Sequence, residues 1–250
     1  LLFSTPLPAQ GATITLDGQI DAAYGPPIAS DSTTDGNGNE NMNLGELYIA
    51  EDTDYFYFAF TVDANIGAVN WGKYVIYVDT DGTSGSGATS DAWLRNVVVD
   101  DPHRPEYGLY SWVDCPSYGT GCTQFWRWTG SGWMQDGTLD GAALSTGARS
   151  VLEWKIAKSR LGNPTTIWVE VWSTGALGNP NAQDTINDPP EDWNAWDWST
   201  TARLACSTRY PGVKLGLSSP ADGAHFSLPY LDVTGAVSPA VGVTVTVDLN

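Results

Sequence analysis

Charge is what this sequence has least of. Only 16% of its 250 residues are Asp, Glu, Lys or Arg, and the basic ones number 11 against 29 acidic. The resulting net charge of −18 disfavours nucleic acid and anionic membrane surfaces as partners, and none is expected. Histidine occurs twice, as His103 and His225. Neither has a second His or Cys at metal-ligand spacing, so zinc chemistry and histidine-based catalysis find little support. Paired carboxylates serve glycosidases, but the acidic residues here are mostly turn aspartates, with seven Glu in the chain. On these grounds the chain is read as not an enzyme. No apolar run approaches the roughly 18 residues that a membrane-spanning helix needs. The sole Asn-x-Ser/Thr sequence, Asn163-Pro164-Thr165, has proline in the middle, so the usual Asn-linked glycan has no acceptor.

What is present in excess is Gly, Pro and Trp, at 27, 15 and 12 residues. Such a composition belongs to loop-rich β proteins. Leu47–Ala50, an EDTD turn and Tyr55–Val62 predict a hairpin whose second strand is aromatic on both faces and therefore central. Tyr74–Val78, Trp93–Val99 and Tyr107–Val113 follow as strands, then a Gln124–Trp128/Trp133–Gln135 hairpin, then Ser150–Ile156 and Thr166–Trp172. Many short strands with almost no helix predict an all-β, two-layer antiparallel sandwich of the jelly-roll kind. The expected division is an extended apolar segment over 1–12, the sandwich over 13–210 and a partial β segment over 211–250.

Three loops have the chemistry of a calcium site, which takes oxygen ligands only. The first follows Tyr74–Val78, where Asp79 and Asp81 repel each other unless a cation sits between them. In the second, Asp35, Asn37, Asn39 and Glu46 fall at positions 1, 3, 5 and 12 of a calcium-loop spacing, although Glu40 stands where that loop needs Gly. The third is the long loop from Gly175 to Ser199, with Asp184, Asp188 and Asp192 beside three tryptophans. Flat indole faces suit the apolar face of a pyranose. The candidates for such contact are Trp126, Trp128 and Trp133 in the hairpin and Trp193, Trp196 and Trp198 in the loop. Cys115 and Cys122 bracket a Pro/Gly loop short enough for a local disulfide, which implies an oxidising compartment, and Cys206 is left over.

The stretches ITLDGQIDAAYG, LYIAEDTDYFYFAFTV, YVIYVDTDGTSGSG and LEWKIAKSRLG, in that order, resemble the DOMON-like, family-9-type carbohydrate-binding modules over residues of about 11 to 205. The resemblance implies a secreted β-sandwich that binds calcium in its loops and, in some members, holds sugar between tryptophans. Asp79 and Asp81 match the Asp-x-Asp loop of that family. From Lys214 the chain resembles the beginning of a bacterial Ig-like repeat. The reading is thus an extracellular or cell-surface, calcium-stabilised protein whose partner is a polysaccharide or other glycan. The ends of the chain prompt an alternative. Leu1-Leu2-Phe3 resembles the close of a signal peptide, and three strands after Lys214 fall short of the roughly seven an Ig sandwich needs. Strand exchange between subunits would cover both and build a filament.

Overall fold

The computed structural model describes residues 14–32, 40–67, 71–175, 182–187 and 201–211, with the backbone of 214–219 and 234–238. The first twelve residues, Asp35, Asn37, Asn39, Asp188, Asp192, Trp193, Trp196 and Trp198 lie outside the described residues. In chain order the strands are β1 (Ala29–Ser30), β2 (Leu44–Glu51), β3 (Tyr55–Val62), β4 (Lys73–Asp79), β5 (Val97–Val99), β6 (Tyr107–Trp112), β7 (Thr123–Trp128) and β8 (Trp133–Gln135). There follow β9 (Gly141–Ser145), β10 (Ser150–Ala157), β11 (Ile167–Thr174), β12 (Ala182–Thr185), β13 (Ala202–Leu204), β14 (Thr208–Tyr210), β15 (Lys214–Ser219) and β16 (Thr234–Ser238). Among the described residues the helical segments are short 3₁₀ turns, such as Ala22–Tyr24 and Lys158–Leu161.

The protein is an all-β sandwich of two antiparallel sheets. One has five strands in the order β1-β2-β3-β10-β9. The other has seven, in the order β12-β11-β4-β6-β7-β8, with β14 also pairing β11. Alternation fixes what lies between them, because successive side chains on a strand point to opposite faces. Phe56, Phe58, Phe60, Leu152, Trp154 and Ile156 of the five-stranded sheet meet Tyr74, Ile76, Val78, Leu109, Phe125 and Val169 of the seven-stranded one. Asp184 staples the sheets at one end: its Oδ2 accepts the Leu44 N–H at 2.6 Å and its Oδ1 the Thr185 N–H at 2.8 Å.

Both sheets also bury side chains on their outer faces. Behind the five-stranded sheet, Tyr24, Ile14, Leu16 and Ile20 pack on Tyr48, Ala50, Tyr57 and Ala59. Behind the seven-stranded sheet, Val97, Val99, Ala202 and Leu204 pack on Val75, Tyr77, Tyr110 and Trp172. There β5 and β13 form a small parallel ladder. The strand expected over Trp93–Val99 is shorter than the apolar pattern implies, covering Val97–Val99 alone. The residues before it turn instead, because the Asp91 carboxylate is drawn under the loop by the Tyr77 and Tyr110 hydroxyls, at 2.8 and 2.6 Å.

The chain divides into two compact units, Leu1–Tyr210 and Pro211–Asn250. Within the second, β15 and β16 form an antiparallel ladder that pairs Lys214 with Ser238. No helix of the described residues is long and apolar enough to cross a membrane.

Candidate functional site

Strand β4 carries two features on its outer face, one at each end. Lys73, Val75, Tyr77 and Asp79 share that face with Thr174, Trp172, Glu170 and Trp168, their register partners on β11. At about 3.3 Å per residue, Lys73 and Asp79 stand about 20 Å apart along the strand.

At the Asp79 end the strand breaks into a tight acidic loop. Asp79 Oδ1 accepts the N–H groups of Asp81 and Gly82, each at 2.9 Å. Asp81 in turn accepts the Thr83 N–H at 2.6 Å and the Ser86 hydroxyl at 2.9 Å. Gly82 has φ +61°, and a Cβ there would lie 2.7 Å from the Trp168 indole, so only glycine fits. Antiparallel pairing with β6 then brings in a residue far along the chain. Val78 faces Tyr107, so Glu106 arrives beside the loop and its Oε2 accepts the Thr80 N–H at 2.9 Å.

Asp79, Asp81 and Glu106 each offer a carboxylate oxygen within 4.8 Å of the others, a group able to hold a metal ion. Glu106 Oε1 is buried with no hydrogen-bond partner. Gly87 leaves room beside it, since a Cβ at that position would sit 2.9 Å from this oxygen. Burial pushes the Glu106 carboxyl up to about 7; the Thr80 N–H opposes the rise, and the charges of Asp79 and Asp81 add to it. The cluster therefore favours a positive guest, either a proton or a cation. On its flank His103 places Nδ1 2.9 Å from Asp79 Oδ2 and stacks its ring on Trp168 at 4.3 Å.

At the Lys73 end lies a pocket of about 360 Å³, lined by Lys73, Trp93, Arg95, Trp112 and Gln124. That volume is within the range of small-molecule sites. Trp112 comes from the end of β6 and pairs in register with Lys73. Trp93 is presented by the loop that Asp91 anchors. Its ring lies 4.6 Å from Tyr110 and 6.2 Å from Trp112. Gln124 Oε1 accepts both the Trp93 and Trp126 indole N–H groups, at 2.7 and 2.8 Å, which leaves its NH₂ as the end able to donate. The Lys73 ammonium donates to Asp114 Oδ1 at 2.6 Å and to the Trp71 carbonyl at 3.3 Å. Beside the pocket, Leu94 has φ +57° and is 87% exposed.

The remaining candidates fall in different places. Glu46 accepts from Tyr48 and Arg149, and Asp184 from backbone, and neither belongs to the acidic cluster. Of the hairpin tryptophans, Trp133 stacks on Tyr77 at 6.1 Å and donates to the Ser90 carbonyl, and Trp128 meets it edge-on at 5.7 Å. Trp126 packs against the outer-face core. All three are half-buried, and none lines the pocket. Cys115 and Cys122 are joined by a disulfide, with Cα atoms 6.2 Å apart, directly after Asp114. Sequence reasoning missed Glu106, His103, Trp93 and Trp112. The signal for Glu106 was its place one residue before a strand that pairs with β4.

No protein-family model matches this chain, and no curated protein matches it.

Proposed function

We propose that the chain is a secreted, non-enzymatic carbohydrate-binding β-sandwich, of the kind represented by DOMON-like, family-9-type modules, with a calcium ion holding its Asp79 loop. The observation that carries the sugar-binding reading is the pocket of Trp93 and Trp112. Two half-buried indoles from different elements line one cavity with a few polar groups, the combination that orients a pyranose ring. Among the described residues that line the pocket there is no carboxylate, whereas a glycosidase needs two flanking the scissile bond. The test is calorimetric titration of the protein with a panel of soluble oligosaccharides. Binding that disappears in Trp112→Ala and Trp93→Ala, with folding intact by circular dichroism, supports the proposal. A panel without a binder, or a binder indifferent to both substitutions, sinks it.

Calcium is supported by the donor set. Asp79, Asp81 and Glu106 supply only oxygen, one of those oxygens is buried without a partner, and the surrounding loop offers further backbone carbonyls. The ion would tie the 80–87 loop to the start of β6. Terbium luminescence, displaced by calcium and absent in Asp81→Ala, is the direct measurement.

A further inference from the structure

Leucine is a poor residue for position 94 as far as folding is concerned. The φ of +57° lies in the left-handed region, where a Cβ crowds the following carbonyl and Gly or Asn is the usual occupant. The Leu94 side chain is 87% exposed, so no packing offsets that strain. The conformation is imposed by the neighbours. The Asp91 carboxylate, buried at the base of the loop, accepts the Arg95 N–H at 3.0 Å, and the Asp91 carbonyl accepts the Leu94 N–H at 3.2 Å. Tyr77 and Tyr110 hold that carboxylate with their hydroxyls, and the Trp93 indole is tied to Gln124. The chain is thus pinned on both sides of Leu94 and turns there. Asn or Gly would take the same backbone with less strain. A strained residue that the surrounding structure enforces and the fold does not use points to function.

An exposed leucine is ordinary by itself. What sets this one apart is its place, because Trp93 and Arg95 on either side of it both line the pocket. Leu94 therefore stands at the pocket's rim. Among the described residues the exposed large apolar side chains are Trp71, Leu94 and Met134. Trp71 also adjoins the lining, since its carbonyl accepts from the Lys73 ammonium at 3.3 Å. Met134 does not: it pairs with Arg127, three residues from Gln124 on the same strand, and so lies on the opposite face of the sheet. The pocket, at about 360 Å³, is at the small end of ligand sites, so a glycan of several rings must emerge across its rim. An aliphatic side chain there can cover the C–H face of a ring by burial of apolar surface.

Resting on the sugar-pocket reading, we propose that Leu94 is a second subsite: one ring of a glycan chain enters the pocket against Trp93 and Trp112, and the neighbouring ring lies on Leu94, so that the protein selects chains over single sugars.

The experiment is calorimetry on the intact chain with glucose-, xylose- and N-acetylglucosamine-based sugars, from single rings to four-ring oligosaccharides, comparing the unaltered protein with Leu94→Asn and Met134→Asn. Single rings are measured by competition against a longer ligand. In a series that binds, affinity should rise on adding the second ring. Leu94→Asn should weaken binding of the longer sugars about tenfold, the worth of burying most of one leucine side chain, and leave the single ring unchanged. Its melting temperature should be no lower than that of the unaltered chain, because Asn accommodates the left-handed backbone. Met134→Asn should bind the whole series as the unaltered chain does. Undiminished binding of the longer sugars by Leu94→Asn, an equal loss for the single ring, or a comparable loss in Met134→Asn overturns the second subsite and leaves the sugar-binding proposal standing. A lower melting temperature for Leu94→Asn shows that the leucine serves the fold, and overturns it too. If the unaltered protein binds none of these sugars the inference falls, and the wider oligosaccharide panel decides whether sugar binding itself survives.

Discussion

Two glutamates, one on each outer face of the sandwich, are held in opposite ways. Behind the five-stranded sheet, Glu153 accepts the N–H groups of Asp17 and Gly18 at 2.9 and 2.6 Å and the Tyr24 hydroxyl at 3.0 Å. Every oxygen of that acid is used, and the N-terminal segment seals the face over it. Behind the seven-stranded sheet, Glu106 stands among two other carboxylates with one buried oxygen unpaired. A buried acid with all its partners works as a clamp on the fold. One that lacks a partner and faces other acids is a place where something positive belongs. Glu153 is fully buried and Glu106 partly so, but it is the unpaired oxygen that sets them apart.

Four experiments press on this contrast. Glu153→Ala strands two backbone donors and a tyrosine hydroxyl, so it should cost about 3 kcal/mol in urea unfolding. A loss no greater than that of an ordinary surface substitution would erase the difference between the faces. Calcium at about one hundred times its dissociation constant should stabilise the protein by about 2.7 kcal/mol, by mass action. Asp81→Ala should abolish that gain, and Glu153→Gln should not, as read by thermal melts with and without chelator.

Protons sharpen the same comparison. In metal-free protein the folded state holds the Glu106 proton up to about 7, against an ordinary value of 4.5. Below that window Glu106 is neutral in both states. As pH rises through it, the unfolded chain ionises first, and Glu106 makes stability fall. Glu106→Gln should flatten this component of the pH profile, and calcium should do the same for the unaltered chain. An unchanged slope in the variant would remove Glu106 as its source. The smallest effect is expected for Trp112→Ala, half-buried at a strand end, which should shift stability by less than about 1 kcal/mol while eliminating sugar binding.

Much of the sandwich was legible because alternation is local. Phe56, Phe58 and Phe60 declare one face of a strand by themselves, and the Trp128/Trp133 hairpin follows from its turn. Asp79 and Asp81 were legible for the same reason, being two residues apart. Glu106 was not, because its meeting with Asp79 depends on the pairing of β4 with β6, which local pattern does not specify. The pocket was hidden more deeply. Trp93 sits in an apolar run that reads as strand, and what lifts it out is an aspartate held under the loop by two tyrosines from other strands. Counting tryptophans favoured Trp126, Trp128 and Trp133, whose indoles the outer-face packing partly consumes.

The staples also set an order of events for the newborn chain. Asp17 meets Glu153 across 136 residues, and Leu44 meets Asp184 across 140. The β2–β3 hairpin closes over a short turn and can form as it emerges, but its apolar faces have no lasting cover until the chain reaches β10 and β12. Contacts this distant in sequence are bought late, since loop-closure entropy is paid before they return anything. The N-terminal half must therefore remain open, with its strand edges available to any neighbour, until most of the domain has been synthesised.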